Sequence, residues 1–362
     1  MEKKRIVVKI GSSSLTNAKG EIDQIKLKDH ISALAALKKE GHDVLLVSSG
    51  AVAAGFRTLG YPSRPITLKG KQAAAAVGQS LLIQYYTELF QAHELSVAQV
   101  LLTRTDFSKK DRYKNAYATF TELLARNILP IINENDTVSV AELTFGDNDM
   151  LSALVSGLVH ADYLVILTDV NGLYDDHPKN PGATRIDHLS DITDEMLSYT
   201  SGPGSKVGTG GMESKLLAAR KAISSGVKVF IGTGTGPSKI IDILNGNGDG
   251  TYIGNAEHNV VPNLKQWISL TETAGKVFID KGAEEAILFN GKSLLPAGIY
   301  KIEGEFSVGD VVEVYSHSEL LGRGEVMYSS EELAHALGKR TNEISASSVE
   351  VIHRNNWVKV KK

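Results

Sequence analysis

Ile128-Leu129-Pro130-Ile131-Ile132 runs directly into Asn133-Glu134-Asn135-Asp136, and Gly146-Asp147-Asn148-Asp149 follows a short stretch later. The apolar run has the length and unbroken character of a strand buried on both faces, the kind found in parallel sheets covered by helices. The Asn/Asp clusters beyond it cannot be core. Buried amides and carboxylates must be satisfied by water, a metal or a polar ligand. A buried strand that turns abruptly polar at its carboxyl end points to an α/β sheet, where ligands bind just past the strand ends. A small charged ligand is the expected partner of these clusters.

The same alternation extends in both directions. Short β-rich runs at 5–9, 44–47, 97–102, 163–167 and 227–231 are separated by helical periodicity at 23–40, 69–92, 113–126, 150–159, 213–225 and 238–244. The helix at 23–40 ends at Gly41, a favourable C-cap. This predicts an α/β fold with an open, mostly parallel sheet flanked by helices. Asn245-Gly-Asn-Gly-Asp-Gly250 breaks the pattern, and 266–270 reads as the last strand of this domain. From Gly275 onward, short runs at 276–279, 286–289, 311–315 and 349–353 alternate with Gly, Pro and Asp turns, as in a small β-rich domain. The expected division is 1–273 and 274–362.

At 362 residues the chain is too long for one ordinary core, which agrees with two domains. The absence of cysteine removes disulfide and thiol chemistry. A net charge of -3 gives no reason to invoke nucleic acid or an anionic membrane. No stretch approaches the roughly 20 apolar residues that span a bilayer. The first residues lead into a strand with no apolar signal region, so a cytoplasmic protein with no membrane partner is expected.

No P-loop and no G-x-G-x-x-G stretch is present, and no His-rich metal spacing. Four other segments could meet phosphate. Lys9-Ile10-Gly11-Ser12-Ser13 places a lysine at a strand end before a Gly/Ser turn, although a solvated lysine before an ordinary turn reads the same way. Ser48-Ser49-Gly50-Ala51 gives small residues at a helix entry, which is also what a tight βα turn requires. Gly202 to Lys215 is a glycine-rich loop entering a helix. Lys215 near that helix N-terminus opposes the dipole unless an anion is bound, and Lys206 lies in the same loop. Leu167-Thr168-Asp169-Val170-Asn171-Gly172 ends a strand in a turn that could face a nucleotide or simply form a hairpin. Two lysines, a glycine-rich helix entry and an amide/acid cluster together suit phosphoryl transfer, where catalysis is mostly positioning and charge stabilisation.

These segments, in this order, resemble the glutamate 5-kinase family of the amino acid kinase superfamily. The resemblance rests on Val8-Lys9-Ile10-Gly11-Ser12-Ser13, Ser48-Ser49-Gly50-Ala51, Asn133 to Asp136, Gly146 to Asp149, Leu167-Thr168-Asp169 and Gly208 to Lys215. Related kinases of aspartate, N-acetylglutamate, carbamate or UMP share the Lys-Gly opening but not the paired Asn/Asp clusters. Asp280-Lys-Gly-Ala283, Ser293 to Ile299 and Phe306 to Asp310 resemble a PUA domain.

The resemblance implies ATP-dependent phosphorylation of the γ-carboxylate of L-glutamate, the first step of proline synthesis. By position, Lys9 and Lys215 are implied to contact the transferring phosphoryl group, with Asp149 organising them. Ser49, Asp136 and Asn148 are implied to bind glutamate, with Asn133 and Asp147 nearby. Lys9, Thr168, Asp169 and the run Thr209, Gly210, Gly211, Met212, Glu213, Ser214 and Lys215 are implied to line the ATP site. Ser214 stands where many members have Thr, and the hydroxyl is kept. Mg2+ is expected on the nucleotide phosphates and water, with no protein metal ligand. Members are often inhibited by proline, commonly form dimers or tetramers, and precede a glutamyl phosphate reductase. Two other readings stand beside this one. The first is a kinase of the same fold with a different small acceptor. The second is RNA binding through the tail, against which residues 275–362 carry 11 Lys and Arg but 13 Asp and Glu.

Overall fold

The computed structural model describes residues 2–139, 148–176, 180–200, 211–254, 261–339 and 349–360. They fall into two compact units, Met1–Arg104 with Lys114–Val260, and Thr105–Tyr113 with Val261–Lys362. The elements of the α/β part, in chain order, are β1 (Arg5–Ile10), α1 (Gln24–Lys39), β2 (Asp43–Ser48), α2 (Ala51–Gly55), α3 (Leu68–Gln91), β3 (Val97–Leu102), α4 (Thr105–Ser108) and α5 (Lys110–Ala125). β4 (Leu129–Glu134), α6 (Asn148–Leu158), β5 (Tyr163–Leu167) and the short β6 (Leu173–Tyr174), β7 (Arg185–Ile186) and β8 (His188–Leu189) follow. α7 (Asp194–Thr200), α8 (Met212–Ser224), β9 (Lys228–Thr233), α9 (Lys239–Leu244) and β10 (Asp249–Ile253) complete it.

Eight strands form one sheet in the order β3-β4-β2-β1-β5-β9-β10-β8. All of its pairs are parallel except β9 with β10. β1 and β2 are buried along almost their whole length, as unbroken apolar runs require. The register sets Ile10 beside Ser48 and Leu167, and Leu102 beside Glu134, so the strand ends that turn polar share one edge of the sheet. α1 begins where the Asp23 side chain accepts from the backbone N–H of Ile25 and Lys26, and it stops before Gly41 at φ +90°. α2 and α3 cross with almost no space between their backbones. A Cβ on Gly78 would lie 1.8 Å from the Ala51 carbonyl oxygen, and one on Gly55 would lie 2.0 Å from that of Ala74.

Besides α4 and the start of α5, the second unit holds α10 (Asn263–Leu270), β11 (Gly275–Ile279), α11 (Lys281–Leu288), β12 (Ile299–Glu303), β13 (Val311–Ser316), β14 (Glu319–Glu325), α12 (Ser330–Ala336) and β15 (Trp357–Lys359). Its sheet runs β12-β11-β13-β14-β15 over a core that includes Val277, Val312, Val314, Val326, Tyr328 and Val351. Two segments expected as β are helical. Residues 266–270 lie in α10, which starts after Pro262 and buries Trp267 and Ile268. There the Trp267 indole N–H and the Thr271 hydroxyl both donate to the Ser108 carbonyl, at 3.1 and 2.9 Å. Residues 286–289 fall at the end of α11, whose start is fixed by the Asp280 side chain accepting from Ala283 N–H at 2.8 Å. In both cases a helix-start signal outranks the β-rich composition of a short run. The 349–353 segment forms only a bridge, Leu294 to Ile352, and the closing strand is β15, within the basic tail.

Candidate active site

Lys9 is the fifth residue of β1, flanked by Val47 of β2 and Ile166 of β5. Asp149, the second residue of α6, is fully buried. Its Oδ1 lies 2.6 Å from Lys9 Nζ. Its Oδ2 lies 3.2 Å from Lys215 Nζ and accepts from the Ser214 hydroxyl at 2.9 Å. Ser214 and Lys215 come from the first turn of α8, so one carboxylate joins the starts of two helices to the end of a central strand. Both lysine side chains are buried as well, at 6% and 8% exposed.

Burial raises the Asp149 carboxyl pKa, but the two ammonium groups and the Ser214 hydroxyl outweigh it and hold the group below its ordinary value. For Lys9, burial lowers the pKa, Lys215 adds to that, and Asp149 pulls in the opposite direction. Two buried ammonium groups thus converge on one carboxylate, a concentration of positive charge of the kind that receives an anion. The backbone is prepared for one too. Gly211, the N-cap of α8, has no side chain to occupy the first-turn N–H groups, a helix entry of the kind that receives anions. A Cβ on Gly11 would come within 3.3 Å of Lys9 Nζ.

Asn148, immediately before Asp149, organises a second, neutral cluster. Its Nδ2 donates to Ser49 Oγ and to Asn133 Oδ1, each at 3.1 Å. Its Oδ1 accepts from Glu134 N–H at 3.3 Å. Asn133 is 1% exposed, and its Nδ2 donates to Gln79 Oε1 at 2.8 Å. Ser49 is held at the entry to α2 because Gly50 takes φ +104°, a conformation costly for any residue with a side chain. The neutral cluster and the charged one therefore meet at the N-terminus of α6.

A family model described as the amino acid kinase family matches residues 4–233. The chain belongs to the amino acid kinase family. A PUA domain model matches residues 275–347. Among similar curated proteins, glutamate 5-kinase 1 of Bacillus licheniformis is 62% identical over 100% of both chains. Glutamate 5-kinase 1 of Bacillus subtilis is 61% identical with the same coverage. Glutamate 5-kinase of Oceanobacillus iheyensis is 59% identical over 99% of this chain and 98% of its own. Among solved structures, carbamate kinase from Giardia lamblia bound to AMP-PNP superposes with a TM-score of 0.51 at 20% identity. It covers 70% of this chain and 99% of its own, a likeness of fold.

In this amino acid kinase, the structure brings Lys9, Asp149, Ser214 and Lys215 together, and separately Ser49, Asn133 and Asn148. Asp136 sits half-buried in the turn after β4. Thr168 and Asp169 lie together at the end of β5, on a cleft of about 570 Å3 whose walls include Ser13, Ser14, Thr233 and Lys239. Gly211, Met212 and Glu213 form the entry to α8. Asp147, Lys206, Thr209 and Gly210 lie outside the described residues.

Two features escape the sequence reading. Gln79 looks like one more polar residue of α3, and nothing in its spacing signals that it faces the strand ends. Lys239, at the first position of α9, resembles a solvated lysine, yet it is 4% exposed and lies 3.0 Å from His30 Nδ1. It also pairs with Asp29. Burial and the Lys239 charge lower the His30 pKa to about 4, so the ring is neutral at pH 7, receives the ammonium at Nδ1 and donates from Nε2 to the Ser14 carbonyl at 3.1 Å.

Proposed function

We propose that this chain transfers the γ-phosphoryl group of ATP to the side-chain carboxylate of L-glutamate, forming L-glutamyl 5-phosphate, as the names of its relatives suggest. The observation that carries the reading is the Lys9–Asp149–Lys215 bridge set against the Ser49–Asn148–Asn133 cluster through adjacent residues of one helix. The carboxylate of glutamate has an ordinary pKa of about 4.3, so the nucleophile is ionised at neutral pH and no general base is required. Asp149, held between two ammonium groups and a hydroxyl, orients those cations and takes no proton. The obstacle is repulsion between an anionic oxygen and an anionic phosphate. Lys9 and Lys215 offset it from a desolvated site, where charges interact far more strongly than in water.

On this reading the carboxylate oxygen attacks the γ-phosphorus, the bond to the bridging oxygen breaks, and ADP leaves. The run Thr209 to Lys215, with Lys9, would hold the phosphates. Thr168 and Asp169 would line the nucleoside side. Ser49 and backbone N–H groups would receive a glutamate carboxylate, while Asp136 and the Asn148 carbonyl face the α-ammonium, with Asn133 and Asp147 in support. Both Asp149 oxygens face ammonium groups. A Mg2+ ion would ride on phosphate oxygens and water, where it neutralises part of the triphosphate charge.

The proposal extends to the biology that the resemblance implies. Catalysis belongs to residues 1–273, with the PUA domain at 274–362 as an accessory unit in a cytoplasmic dimer or tetramer. Proline, which shares the α-carboxylate and an ammonium with glutamate, would compete for the amino-acid pocket. The labile acyl phosphate must be consumed quickly, which fits a glutamyl phosphate reductase as the next enzyme. The test is ATP turnover with glutamate and hydroxylamine. The γ-hydroxamate should form with glutamate, and aspartate, N-acetylglutamate and UMP should react far more slowly. Comparable turnover of any of these three would overturn the assignment.

A further inference from the structure

We propose that Gln79 is a positioning residue for the amino-acid pocket, acting through Asn133 and Asn148 to aim the Ser49 hydroxyl proton at the substrate. The proposal rests on reading Ser49 and Asn148 as glutamate ligands. Donors and acceptors alternate along a short chain of groups. Asn133 Oδ1 accepts from Glu134 N–H at 2.9 Å and from Asn148 Nδ2 at 3.1 Å. Its amide nitrogen therefore faces the other way, toward Gln79 Oε1 at 2.8 Å. Asn148 is then fixed in turn. Its Nδ2 points at Asn133 and Ser49, and its Oδ1 at Glu134 N–H. Ser49 Oγ accepts from Asn148, so its single proton is left to donate, and a carboxylate oxygen is the natural acceptor.

The acceptor at position 79 sets the direction of the whole chain. Asn133 is buried, and among the described residues Gln79 is the acceptor its amide nitrogen faces, so losing it would leave a buried donor poorly satisfied. Rotating the amide would not help, because it would turn donors against the donors of Asn148 and Glu134. The fold holds Gln79 in place by a device of its own. Gly78 lies against the α2 backbone so closely that no side chain fits, which fixes the depth and rotation of α3 against the helix that Ser49 precedes.

The test compares Gln79→Met and Gln79→Asn, which lose the acceptor at that reach, with Gln79→Glu, which keeps it. Wild-type glutamate turnover is measured first, since its absence would defeat the assigned reaction and not the role of Gln79. The KM for glutamate should rise about tenfold in Gln79→Met and Gln79→Asn, the factor that about 1.4 kcal/mol represents. The KM for ATP should stay within about twofold, and Gln79→Glu should recover part of the loss. The proposal is overturned if folded Gln79→Met and Gln79→Asn keep wild-type glutamate KM, if the ATP KM rises equally, or if Gln79→Glu fares no better. Collapse of the fold in all three variants would also overturn it, marking Gln79 as a core residue.

Discussion

At the residue scale, Asp149 is the pivot. It is a buried anion whose two oxygens are shared among two ammonium groups and a hydroxyl. Replacing it with Asn keeps the shape but leaves Lys9 and Lys215 buried against each other. Breaking such a group costs about 3–5 kcal/mol, so Asp149→Asn should lower the denaturant midpoint clearly while preserving the circular dichroism of the fold. The pH behaviour has a definite sign. Because the folded-state pKa of Asp149 is depressed, its contribution to stability is full above the ordinary carboxylate range and is lost as pH falls through the lower folded value. Lys9 behaves oppositely. Its lowered pKa means that the charged form is disfavoured by folding; the cost is full below that value and is relieved as pH rises from it to the ordinary lysine range. Catalysis needs the charged form, so the alkaline limb of kcat/KM should fall below the ordinary lysine range of about 10.4. In Asp149→Asn the limb should move lower still, since Asp149 is what raises the Lys9 pKa; a limb that stays put or moves up would separate it from Lys9.

At the element scale, the α2–α3 crossing joins the helix that Ser49 precedes to the helix that carries Gln79. Gly78→Ala would press a methyl group into the Ala51 carbonyl. It should cost about 1–3 kcal/mol, read by thermal unfolding, and should raise the glutamate KM more than the ATP KM. Equal changes in both would show that the crossing serves stability alone. This contact also marks the limit of sequence reading. β1, β2, β4 and β5 were legible because unbroken apolar runs admit few other structures, and α1 because Asp23 and Gly41 bracket it. Lys9, Asp149 and Lys215 were legible because charges at strand ends and helix starts contradict the core around them. Gln79 was not, because its importance comes from a backbone contact between helices that no periodicity encodes. α10 and α11 were misread because short apolar runs are ambiguous when their caps are overlooked.

At the scale of the whole molecule, the grouping of contacts differs from the order of the sequence. Thr105–Tyr113 belongs to the same compact unit as Val261–Lys362. α10 holds this segment through the Ser108 carbonyl, and Tyr113 donates to Asn263 at 3.4 Å. Lys110 lies over the Trp267 ring and pairs with Glu325. A chain cut after residue 274 keeps α10 and should retain glutamate turnover. A chain cut after residue 260 removes the α10 donors to the Ser108 carbonyl and should unfold at a lower temperature. Equal midpoints for the two would refute the structural role of α10. The same folding-together of distant segments creates the site, since Lys9 and Lys215 are far apart in the sequence of the α/β part and meet at Asp149. The most direct measurement is single-turnover phosphoryl transfer from ATP to glutamate in folded Lys9→Ala and Lys215→Ala, with substrate binding followed separately. Each should lose transfer by at least about a hundredfold while the fold survives. A folded variant that transfers phosphate at close to the wild-type rate would contradict the claim that paired ammonium groups overcome the repulsion between the two anions.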